Sequence, residues 1–140
     1  MREMTKRSLE AAFSGESQAH MKYLAFAEKA EQEGFPNTAR LFRAIAFAEF
    51  VHARNHLREL GRIGKTEENL GEAIKGESFE VEEMYPAYME VAKLQGEEGA
   101  ARSIRFALEA EKTHAEIYSR AKEAVSGGRD IDIGKIYVCS

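Results

Sequence analysis

The run LFRAIAFAEFVHA, residues 41–53, is apolar around almost its whole helical circumference, which predicts a buried helix. It nonetheless carries Glu49 and, three residues later, His52. A charge in an apolar interior is costly unless it is paired or bound to a metal. Residues i and i+3 share one face of a helix, so this pair can aim a carboxylate and an imidazole at one point. The same pair recurs as Glu111 and His114.

The recurrence belongs to a longer repeat. Residues 26–57 lie on 88–119 at an offset of 62 without a gap: Glu28 on Glu90, Gly34 on Gly96, Arg43 on Arg105, Glu49 on Glu111 and His52 on His114. Tyr23 falls on Tyr85 by the same offset, whereas GES at 15–17 matches GES at 76–78 at an offset of 61. One residue has therefore been added between Glu77 and Tyr85. Inside a helix such an addition is absorbed most simply as a π-bulge, a feature that favours functional sites.

Four long helical segments are predicted, over 5–33, 37–60, 79–95 and 98–125, with Thr5 as the first N-cap. Gly34 with Pro36, Gly61 with Gly64, Gly96, and Gly127 with Gly128 close them. The connection over 61–76 is read as a long crossover containing a short helix capped by Thr66. The tail RDIDIGKIYVCS, 129–140, alternates as a strand does. Short breaks after the first and third segments make two antiparallel hairpins. The expected fold is an all-α four-helix bundle with one long crossover connection and a pseudo-two-fold repeat of hairpins, spanning 1–128.

Composition narrows the function. With 140 residues, 44% apolar and 31% charged, the chain suits one globular domain. A net charge of -4 offers no footprint for nucleic acid and no polybasic membrane patch. No apolar run approaches the ~20 residues of a membrane span. The N-terminus lacks the apolar stretch of a signal peptide. Cys139 is the single cysteine, which excludes an internal disulfide and fits a reducing, cytoplasmic location.

The residues for a dinuclear metal site are all present. Glu49, His52, Glu111 and His114 come from two helices, and Glu16 and Glu77 from their hairpin partners. This is the established ligand pattern of ferritin-like di-iron and di-manganese bundles. Carboxylates converging in a dry core repel one another, and divalent cations offset that charge. A mixed carboxylate and imidazole set suits iron or manganese better than structural zinc. Glu80 shares a face with Glu77. Tyr23 and Tyr85, two turns beyond Glu16 and Glu77, are placed to donate hydrogen bonds to ligand carboxylates or simply to pack. His20 and His56, each one turn from a ligand, have no histidine counterpart in the other half.

The stretches AFSGESQAHMKY, AEFVHA, GESFEVEEMYP and EAEKTHAE resemble the rubrerythrins, of the ferritin-like superfamily, over nearly the whole chain. The resemblance implies two iron ions per chain that reduce hydrogen peroxide to water, with Zn or Mn able to occupy the same ligands. It implies as ligands Glu16, Glu49, His52, Glu77, Glu80, Glu111 and His114, with Glu49 and Glu111 as bridges. It also implies that one iron exchanges His52 for Glu80 on oxidation, and that Tyr23 and Tyr85 sit beside the site. In the family a segment like KIYVC opens a rubredoxin-like domain with four cysteines. Here Cys139 stands alone, so residues 129–140 read as the stub of an absent domain, and an external electron donor such as rubredoxin is expected. A homodimer, with exchange of helix hairpins through the 61–76 connection, is the expected assembly. Iron oxidation and storage, or a manganese catalase activity, are the alternative functions.

Overall fold

The computed structural model describes residues 1–138. Its elements are α1 (Glu3–Gln32), α2 (Pro36–Glu59), α3 (Thr66–Phe79), a π-helical turn (Glu80–Met84), α4 (Tyr85–Leu94) and α5 (Glu98–Ser126). There is no strand among the described residues, and no helix is long and apolar enough to cross a membrane. The chain divides into two compact units, Met1–Ile63 and a second from Gly64 onward. Each is a helical hairpin.

In the first unit α1 packs on α2. Both hairpin turns, here and in the second unit, use a glycine in the left-handed region, Gly34 at φ 82° and Gly96 at φ 70°. In each, the next amide reaches back to an alanine carbonyl, Phe35 to Ala30 at 2.8 Å and Glu97 to Ala92 at 2.9 Å, closing the helix end. The buried residues of this unit are all alanines: Ala27 and Ala30 on α1, and Ala39, Ala46 and Ala53 on α2. The three on α2 recur every seven residues, so they form one stripe facing α1. Phe42 packs against the end of this seam.

The expectation that 41–53 is buried all round is thus corrected. Leu41, Ile45, Phe47 and Phe50 are 40–65% exposed. The reason is geometric: within its unit α2 has a single neighbour, which covers one stripe of its surface and leaves the others open.

In the second unit α3, the π turn and α4 form one rod against α5. The rod begins at Thr66, not at Phe79, so the non-helical connection shrinks from 61–76 to a few residues around Gly61–Lys65. Lys65, not Thr66, is the N-cap, and its amide donates to Glu68 Oε2 at 2.6 Å. Gly71 and Gly76 lie inside the helix. At Gly71 an added Cβ would meet only the end of the Lys122 side chain of α5, with Nζ at 3.2 Å. Nothing in the structure explains Gly76. At the N-terminus α1 starts at Glu3 with Arg2 as N-cap, not Thr5; Glu3 complements the helix dipole and accepts from Arg7 Nε at 2.9 Å. The tail over 129–138 forms no strand, and Cys139 lies outside the described residues.

The predicted π-bulge is present where the repeat gains its residue. The Tyr85 amide bonds to the Glu80 carbonyl, five residues back. Glu16 precedes the buried Ala30 by fourteen residues, whereas Glu77 precedes its counterpart Ala92 by fifteen. In a regular helix the extra residue would rotate Ala92 off the seam by about 100°; the wide turn takes it up. Pro86 follows directly, where the first hairpin has Leu24. A proline inside a regular helix clashes with the carbonyl four residues back, here Glu82, and the π turn relieves that contact. Deleting Glu82 alone should therefore destabilise the protein by about 3 kcal/mol, since Pro86 would then sit in a helix interior. Adding Pro86→Leu to the deletion should restore a straight helix and near-parental stability. Chemical denaturation of the two variants checks this, and equal stability of both would contradict it.

Candidate metal centre

Each hairpin assembles its own group of three ligand side chains. In the first, Glu16 comes from α1, and Glu49 and His52 from α2; one ligand atom of each lies within 4.8 Å of the others. In the second, Glu77 comes from α3, and Glu111 and His114 from α5, with the same spacing. The i, i+3 pairs do face one way, as their spacing demands: Nδ1 of His52 lies 3.1 Å from Glu49 Oε2, and Nδ1 of His114 lies 2.6 Å from Glu111 Oε2. His114 Nδ1 also lies 3.6 Å from Glu77 Oε2. The four carboxylates are half-buried and the two imidazoles exposed.

Two carboxylates cannot both stay ionised at this range without cost. In the first group the hydrogen bond to Glu49 raises the Glu16 carboxyl, while the same bond lowers Glu49. The pair is thus split, with Glu16 the more readily protonated member and Glu49 the more readily ionised one. The charge of His56, one turn from His52, offsets part of the rise at Glu16. In the second group Glu77 is pushed up to about 7, first by burial, then by its hydrogen bond to Glu111 and by Glu111's charge. Its Oε2 atom is buried and has no hydrogen-bond partner. An orphaned buried carboxylate oxygen beside a second carboxylate and an imidazole fits a divalent cation, which would supply the missing partner and offset the charge.

Glu80 opens the π turn and is half-buried. It stands outside the group of three, yet its charge contributes to raising both Glu77 and Tyr85. Burial is the main cause of the rise at Tyr85, with the charges of Glu80, Glu111 and Glu77 adding to it, so this phenol lies beside the second group. Tyr23 instead packs its ring against Phe26 and Phe42, each at 6.2 Å between centroids. Among the described residues neither tyrosine donates a hydrogen bond to a ligand carboxylate. The grouping within hairpins follows the pairing read from the sequence, in which Glu16 lies 33 residues before Glu49 and Glu77 lies 34 before Glu111.

A family model described as Rubrerythrin matches residues 8–122. The chain is 43% identical to Rubrerythrin-2 of Clostridium acetobutylicum, over 97% of this chain and 82% of that protein. It is 32% identical to nigerythrin of Nitratidesulfovibrio vulgaris, over 96% of this chain and 72% of that one. The solved structure of fully reduced, all-ferrous nigerythrin aligns with 87% of this chain and 67% of that chain, at 32% identity and a TM-score of 0.46.

The raised Glu77 carboxyl sets a pH dependence in metal-free protein. Its ordinary value is 4.5, and in the folded chain it is about 7. Between these the folded state holds a proton that the unfolded chain has lost, so this contribution to stability is complete below 4.5 and disappears as pH rises through 7. The melting temperature of metal-free protein minus that of Glu77→Gln should therefore fall between pH 5 and pH 8. A difference that does not change with pH would contradict the assignment.

Proposed function

For a chain that belongs to the rubrerythrin family, we propose reduction of hydrogen peroxide to water at a dinuclear iron centre built from one Glu/Glu/His group of each kind. The family binds di-iron, and the two groups suit two ions per chain. The observation that carries the reading is the orphaned Glu77 oxygen within a group that recurs, residue for residue, at repeat-related positions. Glu16, Glu49, His52, Glu77, Glu80, Glu111 and His114 are the residues that would hold the two ions.

Peroxide reduction to two waters consumes two electrons and two protons. The irons, when bound, supply the electrons, one from each. The side chains manage the protons. Tyr85 keeps its phenolic hydrogen, since burial and three nearby carboxylates all oppose ionisation. It is therefore a hydrogen-bond donor at neutral pH, able to steady a peroxide oxygen or a neighbouring carboxylate. Glu80, whose charge acts on this phenol, is the carboxylate suited to carry a proton. Tyr23, among Phe26 and Phe42, keeps the first hairpin's side of the site dry. Electrons return from an external donor such as rubredoxin.

A homodimer with exchanged hairpins completes the proposal. Large apolar side chains stand exposed on both hairpins, Phe47 at 65% and Leu94 at 88%, which supports burial of these faces against a second copy. Sedimentation giving a monomer at micromolar concentration would remove this part.

Anaerobic reconstitution should give two irons per chain, and Glu49→Ala should lose more iron than Glu80→Ala. Equal loss would make Glu80 a constant ligand. In stopped flow, peroxide should oxidise the di-ferrous protein much faster than dioxygen. The opposite order would favour iron storage, and oxygen release from peroxide would favour catalase.

A further inference from the structure

Glu16 and Glu49 come from different helices, so their meeting depends on the register of α1 against α2. The buried residues of the seam between these helices are alanines, and the aromatic contacts across it, Tyr23 and Phe26 with Phe42, lie toward the hairpin turn and away from Glu16 and Glu49. Methyl groups interlock weakly, and a uniform stripe with a seven-residue period resists sliding less than a seam of large side chains would. Two exposed ion pairs, Arg43 with Glu31 and Arg62 with Glu10, cross the hairpin. Exposed pairs on long, flexible side chains hold register loosely.

One contact of a different kind crosses the same seam. His20 Nδ1 lies 2.8 Å from the carbonyl oxygen of Ala46. A carbonyl oxygen only accepts, so Nδ1 must carry the hydrogen and donate it. Ala46 is 1% exposed, and its carbonyl has a second lone pair beside the one used within α2. The imidazole can reach this backbone atom because residue 46 has no bulk beyond a methyl. The ring also lies against Phe50, at 5.9 Å between centroids. His20 is four residues past Glu16, and Ala46 is three before Glu49. The bond therefore ties the two helices one turn from the carboxylates they must bring together.

The second hairpin has no such tie. The repeat carries position 20 into the π turn, which contains no histidine. Among the described residues, no side chain of the second hairpin donates to the backbone of its partner helix.

We propose that His20 is a positioning residue: its Nδ1–H bond to the Ala46 carbonyl fixes the α1–α2 register that sets Glu16 against Glu49 and His52 for metal. This rests on the reading of those three residues as ligands. It assigns His20 the Nδ1–H tautomer and confines its effect to the first hairpin's group.

The test uses the full chain and Co(II) alone, titrated anaerobically and followed by its visible bands and by the shifted ring signals of His52 and His114. His20→Phe keeps a ring against Phe50 but removes the donor. It should weaken one Co(II) about tenfold, the scale on which supporting hydrogen bonds act at metal sites. The weakened ion should be the one that shifts His52, with the His114 ion unchanged. His20→Asn places an amide N–H near the Nδ1 position and should restore affinity. On metal-free wild-type protein, nitrogen-15 NMR should find His20 as the Nδ1–H tautomer with that hydrogen protected from exchange. An Nε2–H tautomer, wild-type Co(II) affinity in His20→Phe, or equal weakening of both ions would overturn the proposal. Wild-type protein that binds no Co(II) would instead sink the ligand reading, while the tautomer measurement would still decide the tie.

Discussion

Two carboxylates held side by side repel, and this chain holds such a pair twice, each with an imidazole three residues from one member. Much of the remaining structure is arranged around that repulsion. It shows in the carboxyls of Glu16 in one hairpin and Glu77 in the other, both raised above their ordinary value. At Glu77 one oxygen is also buried without a partner. The same atoms that are costly to hold side by side are receptive to a cation, so folding and metal binding draw on one set of contacts.

Close approach of the helices is the second requirement. Glutamate side chains are long enough to meet across a gap, but meeting within 4.8 Å from two half-buried positions is easier when the backbones are near. The first hairpin achieves this with alanines at its buried positions, while large side chains such as Leu41, Phe47 and Phe50 stay exposed. The hairpin is therefore a poor isolated fold and a good building block. Its proposed partner surface and its proposed metal group are consequences of the same seam.

Much of this was legible in the sequence. The i, i+3 spacing of Glu49 with His52 and of Glu111 with His114 transfers directly into side-chain contacts, because helical geometry admits few alternatives. The offset change from 61 to 62 located the π turn within a few residues. Helix ends were less legible. Thr5 and Thr66 are good capping residues, yet the N-caps of α1 and α3 are Arg2 and Lys65, since a cap stabilises an end by roughly 1 kcal/mol and neighbouring contacts outweigh it. The connection read as ending at Gly76, but a rod packed against α5 tolerates glycine within it. The run 41–53 read as buried because periodicity reports what a helix needs covered, not which molecule covers it. The His20 contact left no signal at all: a bond to a backbone carbonyl 26 residues away has no sequence pattern.

The π turn has a consequence for how such chains can be compared. Insertions are normally sought in loops, and a helix is expected to align without gaps. Here one residue has entered the middle of a rod, and the residues on either side, Glu77 before it and Ala92 after it, still match their counterparts in the first hairpin. A comparison of the two halves that forbids a gap inside a helix must misplace one of them, either the glutamate or the alanine seam. Local winding, and not only loop length, is thus a variable along which the two halves have been able to diverge while each kept both its packing face and its ligand face.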